Sequence, residues 1–173
     1  MKKRALILSA LLVLATAPAC TNKEGETEAP VFLTVSIEQQ PGFVDVRAPA
    51  PVQIDTITIE SHLKNPSQSD PQGFANVQLN SYQVRFRRTD GGTRVPATKT
   101  YGVGVVVPSG GSATLNNFPV MDASDLLLSP FDQLLPFNGG VDRETGRNQI
   151  NMTFDLTFFG QTVSGHRVQS QTA

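Results

Sequence analysis

The chain has 173 residues, of which 39% are hydrophobic and 17% charged, with one cysteine, no tryptophan and a formal net charge of −1. That length suits one domain with a real core and is short for two large ones. A lone cysteine excludes an internal disulfide, and the absence of a basic excess argues against general nucleic-acid binding, which needs cationic surface to displace counterions.

In chain order, Lys2, Lys3 and Arg4 come first, followed by an apolar run from Ala5 to Ala17 broken only by Ser9 and Thr16, and small residues then lead to Cys20. This is the charged, apolar and small-residue layout of a secretory signal. The run is too short to span a bilayer stably, which takes roughly 20 residues, so residues 1–19 are expected to be a helical signal peptide that is cleaved off. Ala17-Pro18-Ala19-Cys20 resembles the lipobox of bacterial lipoproteins, a Leu-small-small-Cys pattern in which Ala17 here takes the place of Leu. The resemblance covers this first segment only. It implies that Cys20 is the first mature residue and carries a thioether-linked diacylglycerol, usually with a palmitate-like N-acyl chain, which supplies the two or more chains that stable anchoring needs. It also explains a single thiol in an oxidising compartment, where it would otherwise be a liability. Thr21, rather than Asp, follows the cysteine, which resembles the pattern of lipoproteins sent on to the outer membrane. Cleavage would remove Lys2, Lys3 and Arg4 and no acid, leaving the mature chain more acidic.

Residues 20–30 hold no large apolar side chain and are dense in charge, so they read as a flexible tether between lipid and domain. From Val31 the pattern changes to period two. Val31, Leu33, Val35 and Ile37 alternate with Phe32, Thr34, Ser36 and Glu38, as in a half-buried strand. Further strands are expected at Phe43–Val46, Val52–Leu63, Val77–Arg88, Tyr101–Val107, Ala113–Phe118, Ile150–Phe159 and Val163–Ser170, separated by turn-forming clusters such as Asn65-Pro66-Ser67, Asp90-Gly91-Gly92 and Pro108-Ser109-Gly110-Gly111. In two of these runs the apolar parity switches, from Val52/Ile54 to Ile57/Ile59 and from Leu79 to Tyr82/Val84/Phe86, as a β-bulge would produce.

One segment does not read as strand. Asp122, Ala123, Ser124 and Asp125 precede Leu126–Leu128, and Pro130 ends any helix begun there. A short helix or turn is expected, with Leu126–Leu128, Phe131, Leu134, Leu135 and Phe137 capping one end of the core; a solvent-facing apolar patch is the functional alternative.

The expected fold is therefore all-β: an antiparallel, Ig-like β-sandwich of about 7–8 strands over residues 31–173, of immunoglobulin or fibronectin type III kind. The stretch Ile57–Phe86, with Asn65-Pro66 between two strands, also loosely resembles the β-sandwich of water-stress proteins. The last residues, Arg167–Ala173, read like the approach to another strand, as though an edge were left for a partner to complete.

Chemistry is sparse. His62 and His166 are the only histidines and no zinc-ligand spacing occurs. No Gly-x-Ser-x-Gly elbow and no phosphate-cradling loop is present, so neither an enzyme nor a cofactor is expected. Arg85, Arg87, Arg88 and Arg94 form a basic cluster around the Thr89–Thr93 turn, the candidate binding face for a glycan, a phospholipid headgroup or an acidic partner, because the guanidinium fork suits carboxylate and phosphate. The alternative is a solvated strand face that guards an edge. Asp142 and Glu144, in the loop Asn138–Asn148, suggest calcium, but Arg143 and Arg147 beside them favour a plain loop, and no metal is expected. The reading that results is a non-catalytic envelope lipoprotein, anchored in the membrane through Cys20, whose sandwich serves as an interaction or structural module, such as an accessory subunit of an envelope complex. A ligand-capturing lipoprotein using the arginine face is the alternative.

Overall fold

A computed structural model describes residues 29–173. The expected signal segment 1–19, Cys20 and the expected tether as far as residue 28 lie outside the described residues. Period-two patterning produces seven strands: β1 (Val31–Ile37), β2 (Val52–Leu63), β3 (Val77–Arg88), β4 (Lys99–Val107), β5 (Ser112–Met121), β6 (Met152–Thr162) and β7 (Arg167–Gln169). They form two antiparallel sheets, β1-β2-β5 and β4-β3-β6-β7, whose inward side chains share one core. This is an all-β, Ig-like sandwich. Its fourth strand pairs with the third, so the division is three and four strands, where constant-type immunoglobulin domains put the fourth strand in the other sheet.

Tyr82 (β3), Phe118 (β5) and Phe158 (β6) meet at the centre of that core, with Tyr82–Phe118 and Tyr82–Phe158 ring centroids 4.1 and 5.6 Å apart. The Tyr82 hydroxyl donates to the Pro119 carbonyl at 2.7 Å, a hydrogen bond from one sheet to the other, and burial pushes its phenol well above the usual range. The parity switch within β3 is a register shift between Leu79 and Ser81, present against both β4 and β6. Gly160 sits at this shift, where a Cβ would run into the Gln78 carbonyl. Gly160→Ala should therefore cost about 1–3 kcal/mol, read as a lower denaturant midpoint. In β2 the origin of the switch is different. The β2–β5 register shift lies at Val52/Gln53, while the ladder is unpaired at Asp55, opposite Asn117, whose φ of 54° is left-handed. Asparagine tolerates that conformation.

Three expectations are corrected. Phe43–Val46 is not a strand: it lies in the β1–β2 loop with no partner chain alongside, between Pro41 and Pro49, and proline supplies no ladder donor. The Leu-rich segment forms three short 3-10 turns, Ala123–Leu127, Phe131–Leu134 and Pro136–Asn138, and it caps the core only in part. Leu126, Phe131 and Leu135 are buried, whereas Leu127, Leu128 and Phe137 face solvent. The C-terminal edge is not open either. Gln171 N–H donates to Leu33 O in β1, and Leu156 and Ala173 exchange both backbone hydrogen bonds, so the tail zips the two sheets together along one side. On the opposite side each sheet ends in a strand with a single partner, β4 beside β3 and β5 beside β2.

Strand directions separate the two ends of the sandwich. The chain enters at Ala29, buried in the core, and Pro30 O accepts from Lys64 N at the far end of β2. The connections 64–76, 108–111 and 163–166 share that end. The longer connections 38–51, 89–98 and 122–151 all lie at the other end, which the 12 residues of β2 place roughly 40 Å away at about 3.3 Å per residue.

Candidate functional site

At the end carrying the long loops the two sheets part around a cavity of about 850 Å³. Val52, Val120 and Met121 reach it from one sheet and Phe86, Met152 and Phe154 from the other. Leu126, Phe131 and Leu134 of the 3-10 turns form a further wall, and the β1–β2 loop with Phe43, Val44 and Val46 closes the top. Apart from Met1, the chain's methionines are Met121 and Met152, and both face this space. Methionine adapts its shape to what it touches, and a concave space of this size that combines apolar side chains with polar groups is the usual form of a small-molecule site. The polar groups here are Asp45, Arg47, Asn148, Gln149 and Asn151.

The covering loop is held lightly. Among the described residues, its backbone hydrogen bonds are Glu38 N–H to Thr56 O at its root and Ala48 N–H to Asp45 O within it. Few backbone bonds hold it, and Val44 and Val46 packed against the core supply much of the rest. Phe43 is 88% exposed, at the mouth.

The wall opposite is fixed by an ionic node. Arg88, at the inward-facing end of β3, has a side chain only 1% exposed. Its Nε donates to Asp90 Oδ1 and its Nη2 to Asp142 Oδ2, both at 2.7 Å, and Nη1 stands 3.7 Å from Glu144. Asp142 also accepts from Gln133 Nε2 and from Thr145 N–H and Oγ1. Asp90 accepts from the N–H groups of Gly92 and Asn151, and Glu144 from Thr93 and the Arg94 N–H. The node thus stitches loop 89–98 to loop 122–151 and holds Asn151 at the cavity. The Arg88 hydrogen bonds hold the Asp90 carboxyl far below the usual carboxylate range. Asp142 is lowered too, burial being outweighed by Thr145 and Arg88, and Glu144 is lowered by the Arg94 and Thr93 N–H groups. Alongside, Lys99 Nζ reaches Asp125 at 2.6 Å and pins the first 3-10 turn to β4.

The arginines singled out in the sequence therefore do not make one basic face. Arg88 is buried on three carboxylates, and Arg87 Nη2 bonds Asp155 on β6 at 2.6 Å. Arg94 stands 3.8 Å from Glu144, while Arg85 is exposed on the outer face of β3, in register with Asp155. Asp142 and Glu144 spend their oxygens on protein donors, and among the described residues no group of His, Cys, Asp or Glu is arranged to hold a metal ion. His62 bonds Thr34 at 2.9 Å and stacks on Phe32. Comparison with protein-family models, with curated proteins and with solved structures finds no match.

Sequence reasoning missed the cavity because its lining comes from five separate segments. One local signal was present: Val84 and Phe86 point inward, and the same parity carries Arg88 inward too.

Proposed function

We propose that this chain is a lipid-anchored protein of the bacterial cell envelope, directed to the outer membrane, whose sandwich is a non-catalytic binding module holding its ligand in the apolar cavity at the end remote from the tether. The supporting observation is that cavity: it is lined from both sheets, covered by a loop with few backbone bonds, and set roughly 40 Å from the point where the chain enters the domain. A lipid on Cys20 would then present the site away from the membrane surface. The rival site for a glycan or acidic partner, the Arg85/Arg87 face, is weakened by Asp155, which takes the Arg87 charge.

Photo-crosslinking in cells separates the two. A photoreactive residue in place of Phe43 should capture a ligand or envelope partner, and one in place of Arg85 should not. Capture from position 85 alone would move the site to the strand face. Mass spectrometry of the N-terminal peptide from the same material should find acylated Cys20, and an unmodified Cys20 would remove the lipoprotein assignment.

A further inference from the structure

We infer that the occupant of the cavity is a single-chain amphiphile, an acyl chain with an anionic head, a proposal that rests on the cavity being the binding site. The interior walls fit an apolar tail. Phe86, Phe131 and Phe154 with Met121, Met152 and Leu126 offer a chain no hydrogen-bonding side chains, and the polar part of the lining comes from Asp45, Arg47, Asn148, Gln149 and Asn151, a division that suits a ligand with one apolar and one polar part. Both mature methionines and these phenylalanines form a deformable lining, suited to a flexible chain rather than to one rigid shape.

The head is indicated by the mouth. Among the described residues, Asp45 and Arg47 are the only ionisable ones on the lining, and they are not equivalent. Asp45 Oδ1 already accepts from both the backbone N–H and the Nε of Arg47, at 2.9 and 3.3 Å. The two terminal nitrogens of Arg47 have no acceptor among the described residues, and its side chain is 69% exposed beside the opening. Asp45 offsets part of the Arg47 charge through Nε, but the planar pair of terminal N–H donors left at the rim matches the carboxylate of a fatty acid or the phosphate of a lysophospholipid. Asn148, Gln149 and Asn151 add neutral polar groups around the same opening.

The test uses the full chain carrying Cys20→Ser, which is exported without acylation and purified without detergent, labelled with 13C at the methionine methyls. Laurate, its neutral counterpart dodecanol and lysophosphatidylglycerol are titrated in turn. Laurate or lysophosphatidylglycerol should shift both the Met121 and Met152 methyl signals saturably, and whichever binds more tightly identifies the source of the head group. Arg47→Ala should weaken the anionic ligands about tenfold, the equivalent of one charge-assisted contact, and leave dodecanol unchanged. Met152→Trp, which narrows the cavity with a bulky, rigid ring in place of a flexible side chain, should weaken all three ligands while leaving the domain folded. Equal weakening of dodecanol by Arg47→Ala, or none of laurate, overturns the anionic head. Absence of any shift overturns the amphiphile; if position 43 still crosslinks in cells, the cavity remains the binding site for another ligand, and if it does not, both readings fall.

Discussion

Arg88→Met should destabilise the domain by about 3–5 kcal/mol, the cost of removing one partner from a buried ion pair. Asp90 and Asp142, whose side chains are fully buried, would keep their negative charges without the guanidinium that compensates them. Arg88→Lys should rescue little, because a single ammonium cannot serve Asp90 and Asp142 with the fork that Nε and Nη2 provide. The effect has a pH signature. Asp90, Asp142 and Glu144 all titrate below their ordinary values in the folded chain. A depressed carboxylate contributes stability above its unfolded pKa of about 4 and loses it as pH falls through the lower folded value. The wild-type chain should thus keep the node's contribution from neutrality down to about pH 4 and lose it below that, so its margin over Arg88→Met should be widest near neutrality and shrink in the acid range. Urea midpoints of the two chains across the acid range measure it. A margin independent of pH would mean that Arg88 acts through packing and not through its carboxylates. Because Asp90 also binds the Asn151 N–H, the substitution should loosen the cavity wall and reduce crosslinking from position 43.

Phe158→Ala should cost as much, about 3–5 kcal/mol. Phe158 has no exposed surface and packs against both Tyr82 and Phe118, with centroid separations of 5.6 and 5.5 Å. Its contacts therefore join the two sheets at the middle of the core, where the backbone of several strands limits collapse into the vacated space. The denaturant midpoint should fall with the slope unchanged, since the surface exposed on unfolding is nearly the same. A loss under 1 kcal/mol would show that the sheets are held chiefly at their ends, by the ionic node and the zipped C-terminal tail.

Much of the architecture was legible from side-chain alternation, because strands that bury one face must repeat every two residues. Ile150–Phe159 foretold β6 (Met152–Thr162) for that reason, and the Leu79-to-Tyr82 parity switch foretold the bulge in β3. Phe43–Val46 failed because four apolar or mixed residues between prolines pattern equally well as a strand or as a loop that tucks Val44 and Val46 under itself. Phe137 and Leu128 failed because hydrophobicity does not reveal which side of a 3-10 turn meets the core. The arginine cluster was visible as composition, but its partners were not. Asp142 lies far along the chain from Arg88, and the loop geometry that joins them leaves no local periodicity. The cavity was beyond reach for the same reason, being a space between segments and not a property of any one of them.

The central claim is that this cavity holds a ligand, and the most direct measurement is of what the protein carries out of the cell. The full chain with Cys20→Ser, and the same chain with Met152→Trp in addition, would be purified from the envelope without detergent, denatured and extracted, and the released compounds identified by mass spectrometry. The structure predicts a single-chain amphiphile with an anionic head in stoichiometric amount from the first protein and a clearly smaller amount from the second, whose melting temperature should be no lower. No stoichiometric compound from the first protein, or the same compound in equal amount from both, would contradict it.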